Sequence, residues 1–448
     1  MNPIIVIPVY IGSSRKGEGR DVVTTYDHVT PLGNQGELPR CLMSLRDNNI
    51  SAPIYILVVS EPGIEQLAAV KVRDIADNFI DTLDVRVIDQ AVLDLVYARM
   101  DLLGLGGIRD GVALKSYGSI RNFGLIIAAA HGASACIFID DDEIVDTPDF
   151  VERATYGMGK LTRTGIPILI KSGFHTDRQG NWLSKQKSSW YNRFWPQGEL
   201  FNKWMKQAMG GARLSRSNNL YGGLCVIHRE AFRRVCFDPW IPRGEDLDYL
   251  LNASMYGGGV WFDNQLSIVH APPKTPDESQ RFRQDIYRWI YEHSKLEYAK
   301  SQIDLLPIQS RMLDPYPGPF LEHSINRRVF ITALLRALGR GNHRKGYVRA
   351  ALAARREAKA YAEVFCPRYY EFQIGWPQVV ATFEMDRSIC NIITGGRCLD
   401  KSELVQPVTG EETAAAGDGT AVSGASAAGD VAPPSDGTAD DIVGDIDD

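Results

Sequence analysis

Three consecutive carboxylates, Asp140-Asp141-Asp142, followed at once by Glu143, stand directly behind the apolar run Ile137-Phe138-Ile139. Neighbouring carboxylates repel one another and lose solvation, so a cation is normally needed to hold them together. A hard divalent ion such as Mg²⁺ or Mn²⁺ prefers carboxylate oxygen and accepts phosphate as a co-ligand. A solvated acidic turn after a strand would give the same letters. A second acidic group, Arg243-Gly244-Glu245-Asp246-Leu247-Asp248, opens a run in which Leu247, Leu250 and Leu251 recur at helical spacing. Acids at a helix N-terminus complement the macrodipole, which accounts for one of them more comfortably than for a glycine followed by two. His270 closes the apolar Ile268-Val269, just before Ala271-Pro272-Pro273, and is either a structural histidine or a ligand to a nearby metal.

The elements that must position these residues read as alternating strands and helices. Ile4 to Tyr10 is a buried strand ended by Pro8, and Ile54 to Val59 is a second, ending at Ser60-Glu61-Pro62-Gly63. With helices over Leu38–Asp47 and Ile64–Phe79 and a strand at Val85–Ile88, they form the β-α-β-α-β run of a doubly wound sheet. A helix from Ser119 to Ala130 carries Arg121-Asn122 into the strand Ala135–Ile139, which delivers the acids to the sheet edge where open α/β folds bind ligands. Gly104-Leu105-Gly106-Gly107 has neither phosphate-loop spacing nor a clear strand before it and reads as a loop. Further on, strands are expected at Ile166–Lys171, Tyr221–Ile227, Val260–Phe262 and Ile268–His270. The glycines Gly222-Gly223 would let a ligand approach the backbone. Trp190, Trp195 and Trp204 suit either a sugar-stacking lid or a cluster beneath a long loop. Residues 279–301 are helical, and Ser324 to Phe365 form one or two further helices.

Bulk properties narrow the class. The chain has 448 residues, 44% hydrophobic and 23% charged, with a formal charge of −6. Ser402–Asp448 holds eleven Asp and Glu and no Lys or Arg, so residues 1–401 carry +5. That is compatible with phosphorylated ligands and too weak to argue for nucleic acid. The polar, acidic stretch from about Gln406 should be disordered. Seven scattered cysteines without a C-x-x-C pair make a poor zinc site and a poor disulfide framework. No signal peptide and no run of about 20 apolar residues is evident, so a cytoplasmic protein with reduced thiols is expected. A basic stretch, 327–359, is either the solvated face of a packing helix or a peripheral contact with the inner face of the membrane.

In order, Ile4-Ile-Val-Ile-Pro-Val-Tyr10 in the first strand, Gly118-x-x-Arg121-Asn122-x-Gly124, Phe138-Ile-Asp140-Asp-Asp142, Gly244-Glu-Asp246-x-Asp248 and His270 resemble the nucleotide-diphospho-sugar glycosyltransferases of the GT-A fold, nearest the family 2 group. The resemblance spans roughly residues 3–275. It implies an α/β, Rossmann-like mixed sheet (1–275), a helical C-terminal extension (276–401) and a disordered acidic tail (402–448). It also implies transfer of a hexose from a nucleotide diphosphate sugar to a hydroxyl acceptor, small molecule or glycan, with Mg²⁺ or Mn²⁺ as cofactor. In such enzymes Asp140 contacts the ribose or metal, and Asp142 and His270 bind the metal. Pro8, Val9, Tyr10 and Glu61 hold the base, although the family usually has Asp where Ser60-Glu61 stands. Arg121 and Asp141 face the nucleotide sugar, and Gly223 and Arg243 the acceptor. Asp246 is the general base of an inverting reaction, with Glu245 orienting it or binding acceptor hydroxyls. A retaining transferase of the glucosyl- or mannosylglycerate type would need no such base. A nucleotidyltransferase, of which Arg15-Lys16-Gly17-Glu18-Gly19-Arg20 is a loose echo, and a non-catalytic scaffold are the readings from other classes.

Overall fold

The computed structural model describes residues 1–13, 26–186, 189–273, 278–339 and 343–395. Its strands are β1 (Pro3–Gly12), β2 (Thr30–Pro31), β3 (Ile54–Ser60), β4 (Val85–Ile88), β5 (Ala135–Phe138), β6 (Glu143–Ile144), β7 (Ile170–Thr176), β8 (Leu214–Arg216), β9 (Cys225–His228) and β10 (Val260–His270). The first helices are α1 (Leu38–Asp47), α2 (Glu65–Ala76), α3 (Gln90–Leu102), α4 (Tyr117–His131), α5 (Phe150–Thr155), α6 (Gln197–Met209), α7 (Arg229–Phe232) and α8 (Glu245–Met255). The C-terminal ones are α9 (Glu278–Ala299), α10 (Ile325–Gly339), α11 (Arg344–Arg349), α12 (Arg355–Met385) and α13 (Arg387–Thr394).

The strands make one mixed sheet in the order β4-β3-β1-β5-β9-β7-β10-β6, with β2 beside β1 and β8 beside β10. The β4-β3-β1-β5 half is parallel, and β9 turns the order by pairing antiparallel to both β5 and β7. Successive residues of β1 and β3 enter opposite cores. Ile4, Val6, Tyr55, Leu57 and Val59 join the core under α3, α4, α8, α9 and α12; Ile5, Ile7, Val9, Ile54, Ile56 and Val58 join the one under α1, α2 and α5. This two-sided cover explains why both strands read as unbroken apolar runs. Each such side chain contributes about 1.5–3 kcal/mol by burial.

Several expectations are corrected. β1 does not stop at Pro8 but continues to Gly12; Pro8 falls past Val6↔Phe138, the last β1–β5 pair, while pairing with β3 goes on to Ile11↔Ser60. The two adjoining strands therefore part at this point, and β2 pairs with β1 further on, at Ile11 and Gly12. The strands expected at Val260–Phe262 and Ile268–His270 are one, β10, with an irregularity between Phe262 and Ser267. There Asp263 is buried because Lys171 and Arg213 both pair with it. The strand expected at Ile166–Lys171 runs instead from Ile170 to Thr176. α12 runs through Pro367 and Pro377, each an unfavourable helix-interior residue by about 3 kcal/mol. Tertiary bonds hold it: Gln373 with the Cys236 amide and the Arg234 carbonyl, Trp376 with the Phe232 carbonyl, and Glu384 with Arg229 and Arg233.

Trp195 and Trp204 are core residues and Trp190 is exposed. On α10, Val329 and Ala333 face the core, and Arg336 is buried over the Phe282 ring. No helix among the described residues is long and apolar enough to cross a membrane. Five cysteines are buried and free, whereas Cys390 is disulfide-bonded, contrary to the expectation of reduced thiols throughout. The loose nucleotidyltransferase echo at 15–20 and the acidic tail lie outside the described residues.

Candidate functional site

β5 ends at Phe138, and the chain turns within Asp140–Asp142 before pairing again as β6. That two-residue strand runs antiparallel to the end of β10, setting His270 opposite Glu143. The Ala271 amide donates to the Asp142 carbonyl at 3.1 Å, and Arg40 donates to the Ala271 carbonyl at 3.0 Å. The main chain thus fixes His270 beside the acids before any side chain is considered.

Asp142 is almost wholly buried. Its Oδ2 lies 3.4 Å from His270 Nε2 and 3.7 Å from His28 Nε2, close enough for charge attraction but without hydrogen-bond alignment, and has no hydrogen-bond partner. Burial opposes the Asp142 charge, but His270, then His28 and His175, outweigh it and hold the carboxyl below its ordinary value. Burial likewise works against a charged His270, and Asp142 more than offsets it, raising the ring above the usual value. Glu143 is fully buried; it accepts from the Asp140 amide at 2.8 Å and lies 2.9 Å from His175 Nε2. Burial, then Asp140 and Asp142, push its carboxyl well up. Burial and His270 push His175 well down. Both shifts favour the neutral form, and Glu143 Oε1 and His175 Nε2 are buried without hydrogen-bond partners.

Arg121, on the second turn of α4, joins the two acidic motifs. It pairs with Asp140 at 2.9 Å and with Glu245 at 3.3 Å, and it packs over the Phe138 ring. Burial disfavours the guanidinium charge, but Asp140 and Glu245 prevail and hold it protonated. Its Nη1 is buried without a hydrogen-bond partner. The neighbouring Asn122 does different work, bonding the Gly111 carbonyl and both polar groups of the Phe237 backbone; it ties loops to α4.

At the start of α8, Gly244 has φ +75°, a left-handed conformation that glycine adopts without penalty. A Cβ there would also strike the Arg288 guanidinium. Glu245 is buried, and burial, countered by Arg121, pushes its carboxyl up to about 7. Asp246 is more open. It accepts from the Gly222 amide at 3.3 Å and the Leu247 amide at 2.7 Å, with Arg288 at 3.8 Å. These bonds fix its rotamer while leaving part of the carboxylate exposed.

The other expected site residues are placed as follows. Tyr10 meets Tyr26 at 4.2 Å with the rings tilted by 35°, and with Tyr117 they build an aromatic wall near Arg121 and Asp140. Pro8 lies just beyond the β5 end, and Val9 is buried in the opposite core. Glu61 accepts from the Ser13 amide and hydroxyl. Asp141 is buried and forms no ion pair among the described residues; burial, then Asp142, Asp140 and Glu37, raise its carboxyl well above the ordinary value. The space a side chain at Gly223 would need is filled by the Glu143 carboxylate. Arg243 is occupied on both sides, by Asp27 at 2.9 Å and Asp285 at 2.6 Å.

The structure adds His28, His175, Tyr26, Tyr117 and Arg288, none of which stood out as letters. His28 and Tyr26 lie in the long polar segment after β1, and only its length hinted at function.

No protein-family model matches the chain, and no curated protein does. Among solved structures, the chain is similar to a mannosyltransferase from Pyrobaculum calidifontis in complex with GDP-mannose and Mn²⁺, at 13% identity and a TM-score of 0.40, covering 86% of this chain and 87% of that one. It is also similar to a mycobacterial protein, at 14% identity and a TM-score of 0.33, covering 65% and 74%. A third is GalNAc-T7 with UDP, GalNAc and Mn²⁺, at 13% identity and a TM-score of 0.32, covering 67% and 51%.

Proposed function

We propose that the chain is a metal-dependent glycosyltransferase of the GT-A type that moves a hexose from a nucleotide diphosphate sugar to a hydroxyl acceptor. One observation carries the reading. The buried Asp142 Oδ2 has no hydrogen-bond partner and faces two imidazoles, His270 and His28, just past the end of β5. Such an oxygen is costly unless something occupies the point between it and the rings. A carboxylate with two imidazoles fits a divalent transition ion, Mn²⁺ before Mg²⁺. When bound, the ion offsets the negative charge that builds on a departing diphosphate.

The chain's own groups supply the rest. Arg121 adds a fixed positive charge, held by Asp140 and Glu245, that needs no reorganisation as charge develops. Tyr10, Tyr26 and Tyr117 offer ring faces for the base or ribose. Asp246, held by two amides and partly open, takes the proton from the acceptor hydroxyl in an inverting transfer, and Glu245 holds Arg121 in place. Residues 1–275 carry the reaction, and the helices of 276–401 buttress it, supplying Arg288 beside Asp246.

The test is a panel of nucleotide diphosphate sugars with and without Mn²⁺, read by thermal stabilisation and by sugar transfer. One donor is expected to raise the melting temperature in a Mn²⁺-dependent way, and NMR of the product anomer to show inversion. Asp142→Ala should remove the Mn²⁺ dependence and nearly all transfer while folding normally. No response to any donor, or near-wild-type transfer by Asp142→Ala, would overturn the reading.

A further inference from the structure

A second group of metal-ligating side chains lies on α9, outside the site described above. His293 and Glu297 are four residues apart on one helix face, and His323 comes from the turn that leads into α10. One ligand atom from each lies within 4.8 Å of the others. His323 Nε2 is 3.8 Å from Glu297 Oε1, and the two imidazoles meet edge-on at 84° rather than stacking.

The tautomer of His293 supplies the independent observation. Its Nδ1 is 2.8 Å from the Leu321 carbonyl oxygen. A carbonyl only accepts, so Nδ1 carries a proton, and in the neutral ring the lone pair is on Nε2. A backbone carbonyl on the far nitrogen is how metal-binding histidines are commonly oriented. The segment that orients the ring also presents His323, two residues further on. Lys300 now donates to Glu297 Oε1 at 2.7 Å, placing a positive charge on the carboxylate that a metal would also use.

We propose that His293, Glu297 and His323 form a Zn²⁺ site. Two imidazoles and one carboxylate, with a fourth position open to solvent, are a zinc donor set, softer than the oxygen-rich sets that favour Mg²⁺. The bound ion clips α9 to the chain entering α10 and so tightens the C-terminal helices. The site stands apart from the acidic rim and does not depend on the reading of that rim.

The experiment uses the full chain carrying Asp142→Ala, which removes the other metal position. Zn²⁺ titration by calorimetry should show one bound ion, and Co²⁺ should give the intense visible bands of a tetrahedral site. His293→Ala and His323→Ala should each weaken Zn²⁺ binding by at least about tenfold and abolish the bands. His323 is largely exposed, so its loss leaves the fold intact. Lys300→Met should tighten binding by removing the competing cation. Absence of Zn²⁺ binding in the Asp142→Ala chain, or affinity unchanged in both histidine variants, would overturn the proposal.

Discussion

Lys295 and Asp142 are both buried ionisable groups, but only the first has every partner it can use. The Lys295 ammonium reaches Asp238 at 2.6 Å, both Asp248 oxygens at 2.7 and 2.9 Å, and Asn252 at 3.2 Å, and it lies over the Tyr369 ring. Asp238 in turn accepts from Tyr291 and from the Trp240 amide. A satisfied network of this kind rigidifies and joins α8 to α9. Around Asp142 the count does not close: an oxygen of Asp142 and a nitrogen of Arg121 are buried without hydrogen-bond partners. A complete cluster is scaffold, and an incomplete one at the end of a sheet is where a ligand belongs. The contrast divides the second acidic motif, since Asp248 belongs to the scaffold and Glu245 and Asp246 to the rim.

The contrast breaks most visibly at Lys295. Lys295→Met leaves Asp238 and Asp248 buried against each other, and it should destabilise the fold by about 3–5 kcal/mol, measured by denaturant unfolding. A loss comparable to that of a surface substitution would mean the network is not structural. Next in size is Asp246→Asn, which keeps the side-chain volume and removes the proposed base. Transfer should fall by about 10²–10⁴-fold with little change in donor affinity, as steady-state kinetics would show. An unchanged rate would move the proton chemistry elsewhere or favour retention. The smallest effect concerns Glu245, whose carboxyl burial pushes up to about 7 from an ordinary 4.5. Between these values the folded chain binds more protons than the unfolded one, so this group's share of stability is lost as pH rises from 4.5 to 7. Glu245→Gln still accepts from Arg121, and its stability should decline less across that window, followed by melting temperature against pH.

Much of the sheet was legible because β1 and β3 are covered on both faces and therefore spell unbroken apolar runs. β10 was misread as two strands because Asp263-Asn264-Gln265 are polar letters. What buries Asp263 is Lys171 and Arg213, which are remote in sequence. A helix was expected only as far as Phe365 because Pro367 and Pro377 are local breakers; contacts with Phe232, Arg233 and Cys236 outweigh them and carry α12 on to Met385. In the rim, the acids and His270 stood out by type and order. Their juxtaposition rests on β6, a two-residue strand with no periodicity to read. His28 was not legible at all, being one histidine in a long polar segment whose position is set by the fold.

The irregularity in β10 has a consequence for how the rim tolerates change in length. Between Phe262 and Ser267 this strand spends more residues than β7 does between Ser172 and Phe174, and the surplus is pinned where Asp263 meets Lys171 and Arg213. The segment from there to His270 behaves as a ruler of fixed count. Deleting one residue within it would turn Val269 or its neighbour towards Asp142 and rotate the imidazole to the opposite face. Deleting two would restore the face but move the ring by about 7 Å. In this chain, loop sequence around the rim should therefore tolerate change better than the count of residues from this anchor to the strand end does.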